Sequence, residues 1–184
     1  MIQGVVFDMD GVLVDSELTH WEVWNKVLGR YGVNLTEETF FDHWTRQGRG
    51  IKDFVRVNGL DLDVKGLRRQ YRELYVAKIK NFKPLNGSNK VVEVLSGEFP
   101  LGLVTSTFRY YTEPMLSTLG LERYFSPVVT AEDVANTKPA PDAFLLAARK
   151  MKLEPSSLLV VEDAEKGILA AKRAGMSCIA IPNK

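Results

Sequence analysis

The chain has 184 residues, 45% of them hydrophobic and 26% charged, a globular profile with room for one large domain or a core with a small insert. Its 24 Lys and Arg balance 23 Asp and Glu to a net charge of +1, so no global field exists to hold nucleic acid or an anionic membrane. The single cysteine, Cys178, excludes an internal disulfide or a thiolate zinc cluster, the two histidines His20 and His43 exclude a His-rich metal site, and no apolar run nears the roughly 18 residues of a membrane span.

The first apolar run, Ile2–Phe7, reads as a buried strand, and it ends in Asp8-Met9-Asp10-Gly11-Val12-Leu13-Val14-Asp15-Ser16. Asp8 and Asp10 interrupt it before a secretory h-region forms, so a cytoplasmic protein is expected. The long interval that follows has a helical pattern: Trp21, Trp24 and Leu28 share one face, as do Leu67, Tyr71, Leu74 and Lys78. A structureless loop of that length is improbable, which predicts an inserted helical cap at 16–82 and a core formed by 1–15 and 83–184. The insert carries 12 Lys and Arg against 9 Asp and Glu, the remainder 12 against 14. That balance suits an anionic ligand, although a solvated helix surface explains most of these charges equally well.

Four more apolar runs follow, Leu101–Thr105, Val128–Thr130, Leu158–Val161 and Ser177–Ile181. Phe144, Ala147 and Met151 recur at helical spacing after Pro141 and Asp142, and Ala164–Ala174 reads as a helix stopped by Gly175. Continuous apolar strands alternating with helices predict an α/β fold with a doubly wound parallel sheet.

Open sheets of this kind bind ligands at the C-terminal ends of their strands, and the chemistry-bearing residues stand there in sequence. Asp8 and Asp10 close the first strand, and Gly11 permits the turn that sets the two acids side by side. One such carboxylate can attack phosphorus while its neighbour handles the proton. Thr105-Ser106-Thr107 closes the second strand with hydroxyls and amides able to hold phosphate oxygens, or to cap the next helix. Lys138 stands on a stiff Pro139-Ala140-Pro141 loop, and Glu162-Asp163 closes the fourth strand. Paired acids are costly to crowd together without a cation, and an oxygen-only donor set points to Mg²⁺. Together these groups make a phosphoryl-transfer inventory.

The four segments resemble the four motifs of the haloacid dehalogenase superfamily. DMDGVLVDS, KPAPD and VVEDAEKGILAAKRAGM are similar to those of its β-phosphoglucomutase-like subgroup, whose helical cap is inserted after the first motif. The resemblance implies that Asp8 is the nucleophile forming an aspartyl-phosphate and Asp10 the general acid and base. It implies that Thr105 and the Ser106 backbone bind the phosphoryl group and that Lys138 neutralises charge on it and on Asp8. Mg²⁺ would be held by the Asp8 carboxylate, the Asp10 carbonyl and Asp163, with Glu162 direct or through water.

In the cap, His20 lies one helical turn beyond Ser16 and resembles a cap-linker histidine that orients the acid or a substrate hydroxyl. Arg46 and Arg49 lie around a Gly48-Arg49-Gly50 turn that can either meet a substrate anion or lie on the surface, and Arg49 is offset from the arginine with which phosphosugar mutases grip a second phosphate. His43 is read as structural, and Trp21, Trp24 and Trp44 as cap core. The sequence ends at Asn183-Lys184, straight after the fifth strand, where the subgroup continues; either one sheet edge is bare and invites a homodimer in place of a monomer, or the sequence is truncated. The expected activity is hydrolysis of a small phosphorylated metabolite, a sugar phosphate foremost. A phosphosugar mutase using the same intermediate is the alternative. A receiver domain is disfavoured, because a switch needs its phosphoaspartate to persist and Asp10 would discharge it.

Overall fold

The structure, a computed structural model, describes residues 1–181, so the expectation built on Asn183-Lys184 lies outside the described residues. The chain divides into two compact units, 1–15 with 81–184, and 16–80.

The first unit is built on a parallel sheet of β1 (Gly4–Phe7), β2 (Leu101–Val104), β3 (Phe125–Val129), β4 (Leu158–Glu162) and β5 (Ser177–Ala180), in the order β3-β2-β1-β4-β5. Chain order reverses at β1, which pairs with β2 through Val5↔Leu101 and with β4 through Val5↔Leu159. β1 and β2 are buried along their whole length, as expected of strands covered on both faces. β3 begins three residues before the expected Val128. Ser126-Pro127 reads as a breaker, yet β3 is an edge strand, where a residue without an N–H is tolerated, and the register shifts between Leu101 and Leu103 to admit it.

Helices α5 (Ser88–Ser96), α6 (Arg109–Leu119), α7 (Asp142–Met151) and α8 (Glu165–Arg173) belong to this unit. Phe144, Ala147 and Ala148 of α7 and Ala170 and Ala171 of α8 pack in one core cluster with Val6, Val104 and Val160. The small residues let helix and sheet approach closely, and Phe144 fills the space between, so truncating it to alanine would cost ~3–5 kcal/mol. Gly175 adopts φ +76° at the end of α8, the left-handed stop that its position predicts. Where the chain leaves and re-enters this unit, Val14 bridges Pro84 and the Leu85 amide donates to the Leu13 carbonyl at 2.8 Å.

The second unit contains α1 (Glu17–Gly29), α2 (Glu37–Phe40), a π-helix over Phe41–Arg46, α3 (Ile51–Val57) and α4 (Val64–Ile79). The Asp63 carboxylate caps α4 by accepting from the Lys65 and Gly66 amides at 2.9 and 3.0 Å. The buried stripe of α4 is Leu67, Tyr71, Tyr75 and Ile79, so Leu74 and Lys78 are not its core face; Lys78 pairs with Glu22 instead. Trp24 stacks on Tyr71 at 4.3 Å, and half-buried Trp44 packs on Phe40 and Phe54 at 5.1 and 5.2 Å, so Trp24, Tyr71, Phe40 and Phe54 form the interior of the unit. No helix among the described residues is long and apolar enough to cross a membrane.

Candidate active site

Three neighbouring strands deliver the site. Asp8 follows β1 directly, its amide bonded to the Val161 carbonyl at 3.0 Å. Thr105 follows β2, its amide bonded to the Val129 carbonyl at 3.0 Å. Glu162 ends β4 and Asp163 follows it. Because β1 lies between β2 and β4, Asp8 sits at the centre, with the hydroxyls on one side and the second acid pair on the other.

Lys138 reaches this centre from the loop before α7. Its ammonium donates to Asp8 Oδ1 at 2.8 Å, to Glu162 Oε1 at 2.5 Å and to the Val104 carbonyl at 2.9 Å. Lys138, Asp8 and Glu162 are all buried. Burial works to lower the Lys138 pKa, but the two carboxylates outweigh it and hold the value above its ordinary one; the residue is a cation. A lone surface lysine would be mobile, whereas three acceptors and a buried stem fix this one.

Asp8 is under the opposite pressure. Burial, together with Glu162 and Asp10 nearby, pushes its carboxyl up to about 8 despite the pull of Lys138. The acids outnumber the one ammonium, and a further cation would relieve the excess. Asp8, Glu162 and Asp163 each offer an oxygen within 4.8 Å of the others. The donor set is all carboxylate, which matches a hard divalent ion such as Mg²⁺. Within it the roles divide. Glu162 Oε1 is taken by Lys138, and Oε2 accepts the Asp163 and Ala164 amides, each at 3.0 Å. The geometry therefore makes Glu162 first a partner of the lysine.

Asp10 is turned toward the hydroxyl side. Its Oδ2 accepts from Thr107 Oγ1 at 2.8 Å and, more distantly, from Thr105 Oγ1 at 3.5 Å. Gly11 allows this. It has φ +78°, and a Cβ there would fall 1.8 Å from Asp163 Oδ2, so only glycine lets the Asp10 turn pass beneath the second acid pair. Ser106 is exposed. The sequence names Thr107 only as the last member of the Thr105-Ser106-Thr107 triplet; its hydrogen bond to Asp10 is what the structure adds.

The two cap residues lie in the other unit. His20 is engaged on both ring nitrogens, Nδ1 with the Tyr71 hydroxyl and Nε2 with the Tyr75 hydroxyl at 3.1 Å. Arg49 is exposed, on a turn pinned from below: buried His43 bonds the Gly50 carbonyl through Nε2 at 3.2 Å, and its own carbonyl accepts the Arg49 amide at 3.0 Å. His43 is thus the brace of that turn.

The geometry agrees with what the chain is similar to. The family model for haloacid dehalogenase-like hydrolases matches residues 5–181. Fructose-1-phosphate phosphatase YqaB of Escherichia coli (strain K12) is 36% identical over 178 residues, covering 96% of this chain and 94% of that relative. A phosphorylated carbohydrates phosphatase of Thermotoga maritima is 31% identical over 184 residues, covering 97% of this chain and 84% of its own. Among solved structures, CbbY from Rhodobacter sphaeroides in complex with phosphate has a TM-score of 0.87 at 24% identity, over all of this chain and 88% of that one, a likeness of fold. The chain belongs to the haloacid dehalogenase-like hydrolases. It is an enzyme of the phosphoric monoester hydrolase class.

Proposed function

We propose that this enzyme hydrolyses small sugar phosphates, with Asp8 as nucleophile and Asp10 as general acid and base. The observation that carries the reading is the buried Asp8 carboxylate held at 2.8 Å from the Lys138 ammonium, with Asp10 two residues further on turned to the Thr105–Thr107 side. A carboxylate fixed at a strand end beside a permanent cation can receive a phosphoryl dianion that would otherwise be repelled.

In the first half-reaction an Asp8 oxygen bonds to phosphorus as the bond to the sugar oxygen breaks, and Asp10 gives the departing alkoxide its proton. In the second, water attacks the aspartyl-phosphate, Asp10 takes the proton, and inorganic phosphate leaves. Lys138 stays charged throughout and balances the phosphoryl oxygens, while Glu162 keeps it in place. Thr105 and the Ser106 amide are assigned to the phosphoryl group. The Asp8 and Asp163 carboxylates and the Asp10 carbonyl would hold Mg²⁺. When bound, the ion supplies charge compensation between nucleophile and phosphate and a Lewis acid on the transferring group. His20 and Arg49 are assigned to substrate binding, His20 by exchanging one of its two tyrosine partners for a substrate hydroxyl.

The substrate class follows the relatives, whose names specify fructose 1-phosphate and phosphorylated carbohydrates. The test is phosphate release from a panel of sugar and small-acid phosphates in Mg²⁺ or EDTA, with Asp8→Asn as control. Release that needs both the ion and Asp8 supports the reading. Conversion of β-glucose 1-phosphate to glucose 6-phosphate without free phosphate would move the assignment to a mutase.

A further inference from the structure

Asp10 has to meet two different oxygens in turn, the sugar's and then water's, from one place. We propose that Thr107 is the positioning residue that fixes the Asp10 carboxylate for both proton transfers, an inference that rests on the phosphatase reading.

The Thr107 hydroxyl has one proton, and the structure directs it to Asp10 Oδ2 at 2.8 Å. Thr105 is the weaker partner at 3.5 Å, and its oxygen accepts the Thr107 amide at 3.0 Å. Thr105 therefore helps to shape the turn that presents Thr107. The turn is anchored beyond Thr107 as well. The Thr107 carbonyl accepts the Ala131 amide at 3.3 Å, and the Arg109 amide donates to Glu132 at 3.0 and 3.1 Å. The Arg109 guanidinium binds Asp133 at 2.6 Å, and Asp133 in turn accepts the Thr130 amide at 2.7 Å.

Asp10 stands on an equally constrained backbone. It bridges Val14, and the Gly11 amide donates to the Val14 carbonyl at 2.8 Å. Two rigid loops, one after β1 and one after β2, thus meet at the Thr107–Asp10 hydrogen bond. A carboxylate swinging about its own χ angles would reach a proton-transfer geometry only part of the time. Tied to a fixed donor, it is held there before substrate arrives. The first transfer sends the Asp10 proton to the alkoxide as the phosphorus–oxygen bond breaks. The second returns a proton from water as the water oxygen bonds to phosphorus and Asp8 is released.

The variant Thr107→Val keeps the branched shape and removes the donor, and Thr107→Ser restores the donor. On fructose 1-phosphate with Mg²⁺, Thr107→Val is expected to lower kcat by ~100-fold. KM should stay within about twofold, and Thr107→Ser should recover most of the loss. On p-nitrophenyl phosphate the leaving group needs little proton, so Thr107→Val should release one p-nitrophenolate per enzyme in a burst and then turn over slowly. In an Asp10→Asn background Thr107→Val should cost nothing further, because the two act as a unit. A raised KM with unchanged kcat would overturn the inference and make the hydroxyl a substrate ligand. So would equal losses in the Val and Ser variants, or losses that add to Asp10→Asn. Normal wild-type turnover with an unaffected Thr107→Val overturns this inference alone; a wild type without Mg²⁺- and Asp8-dependent phosphate release overturns the phosphatase reading and this inference with it.

Discussion

At Asp8 the number of buried acids around a single buried lysine governs both charge and stability. Without a metal, burial and the neighbouring acids raise the Asp8 carboxyl to about 8, so in this range the folded protein binds a proton that the unfolded chain, with an ordinary aspartate near pH ~4, does not. A raised folded-state pKa stabilises fully below the unfolded value, and that contribution is lost as pH rises through about 8. Thermal unfolding in EDTA should therefore show Tm falling from pH 5 toward pH 9. Mg²⁺ should restore more at pH 8 than at pH 5, and Asp8→Asn should flatten the slope. A Tm in EDTA that does not fall over this range would contradict the charge assignment. Lys138 gives the complementary expectation. Lys138→Met leaves Asp8 and Glu162 buried without their shared cation, a loss of the kind that costs ~3–5 kcal/mol, and denaturant unfolding should show it alongside collapse of phosphate release.

The elements set these residues through close approaches that depend on single glycines. Glu162 lies under the start of α8, where a Cβ on Gly167 would fall 1.7 Å from Glu162 Oε1 and 2.0 Å from its Cδ. The carboxylate has no room to yield, since it is fully buried and tied to Lys138 and to two amides. Gly167→Ala should therefore lower both Tm and kcat, although alanine favours a helix elsewhere by up to ~1 kcal/mol. Gly29→Ala, at a position with open space at its Cβ, serves as the control and should leave both intact; equal behaviour of the two variants would refute the packing account. Such contacts also mark how far the sequence could be read. Strands β1, β2 and β4 announce themselves as apolar runs ending in polar residues, and Asp8, Thr105 and Glu162 stand at those ends. β3 was harder because Pro127 hides an edge strand. In α4 the spacings 71, 74, 78 and 71, 75, 79 both fit a helical face, and packing on Trp24 and His20 chose the second. The π-helix over Phe41–Arg46 has no composition cue. The engagement of Glu162 by Lys138 and of Asp10 by Thr107 joins residues 24 and 97 positions apart, and no local pattern encodes a tertiary hydrogen bond.

Across the whole molecule, the proposed assignment puts chemistry and substrate choice on different stretches of chain. Asp8, Asp10, Thr105, Thr107, Lys138, Glu162 and Asp163 all belong to the 1–15 and 81–184 unit, and His20 and Arg49 to the 16–80 unit. The first unit does not need the second to close its own chain. The Val14–Pro84 bridge and the Leu13–Leu85 hydrogen bond already hold the two crossings side by side, so a short Gly-Ser linker can replace 16–80 at little entropic cost. The excised core should keep Mg²⁺- and Asp8-dependent hydrolysis of p-nitrophenyl phosphate, because every group that handles the phosphoryl and the proton remains. It should lose discrimination among sugar phosphates by ~10-fold or more in kcat/KM, the scale on which a few binding contacts separate similar substrates. Comparing kcat/KM across the sugar-phosphate panel for the full chain and the core decides the matter. A core that preserves the full chain's ranking would place specificity at the sheet edge, in the loops around Thr107 and Lys138, and would strip His20 and Arg49 of their assigned role.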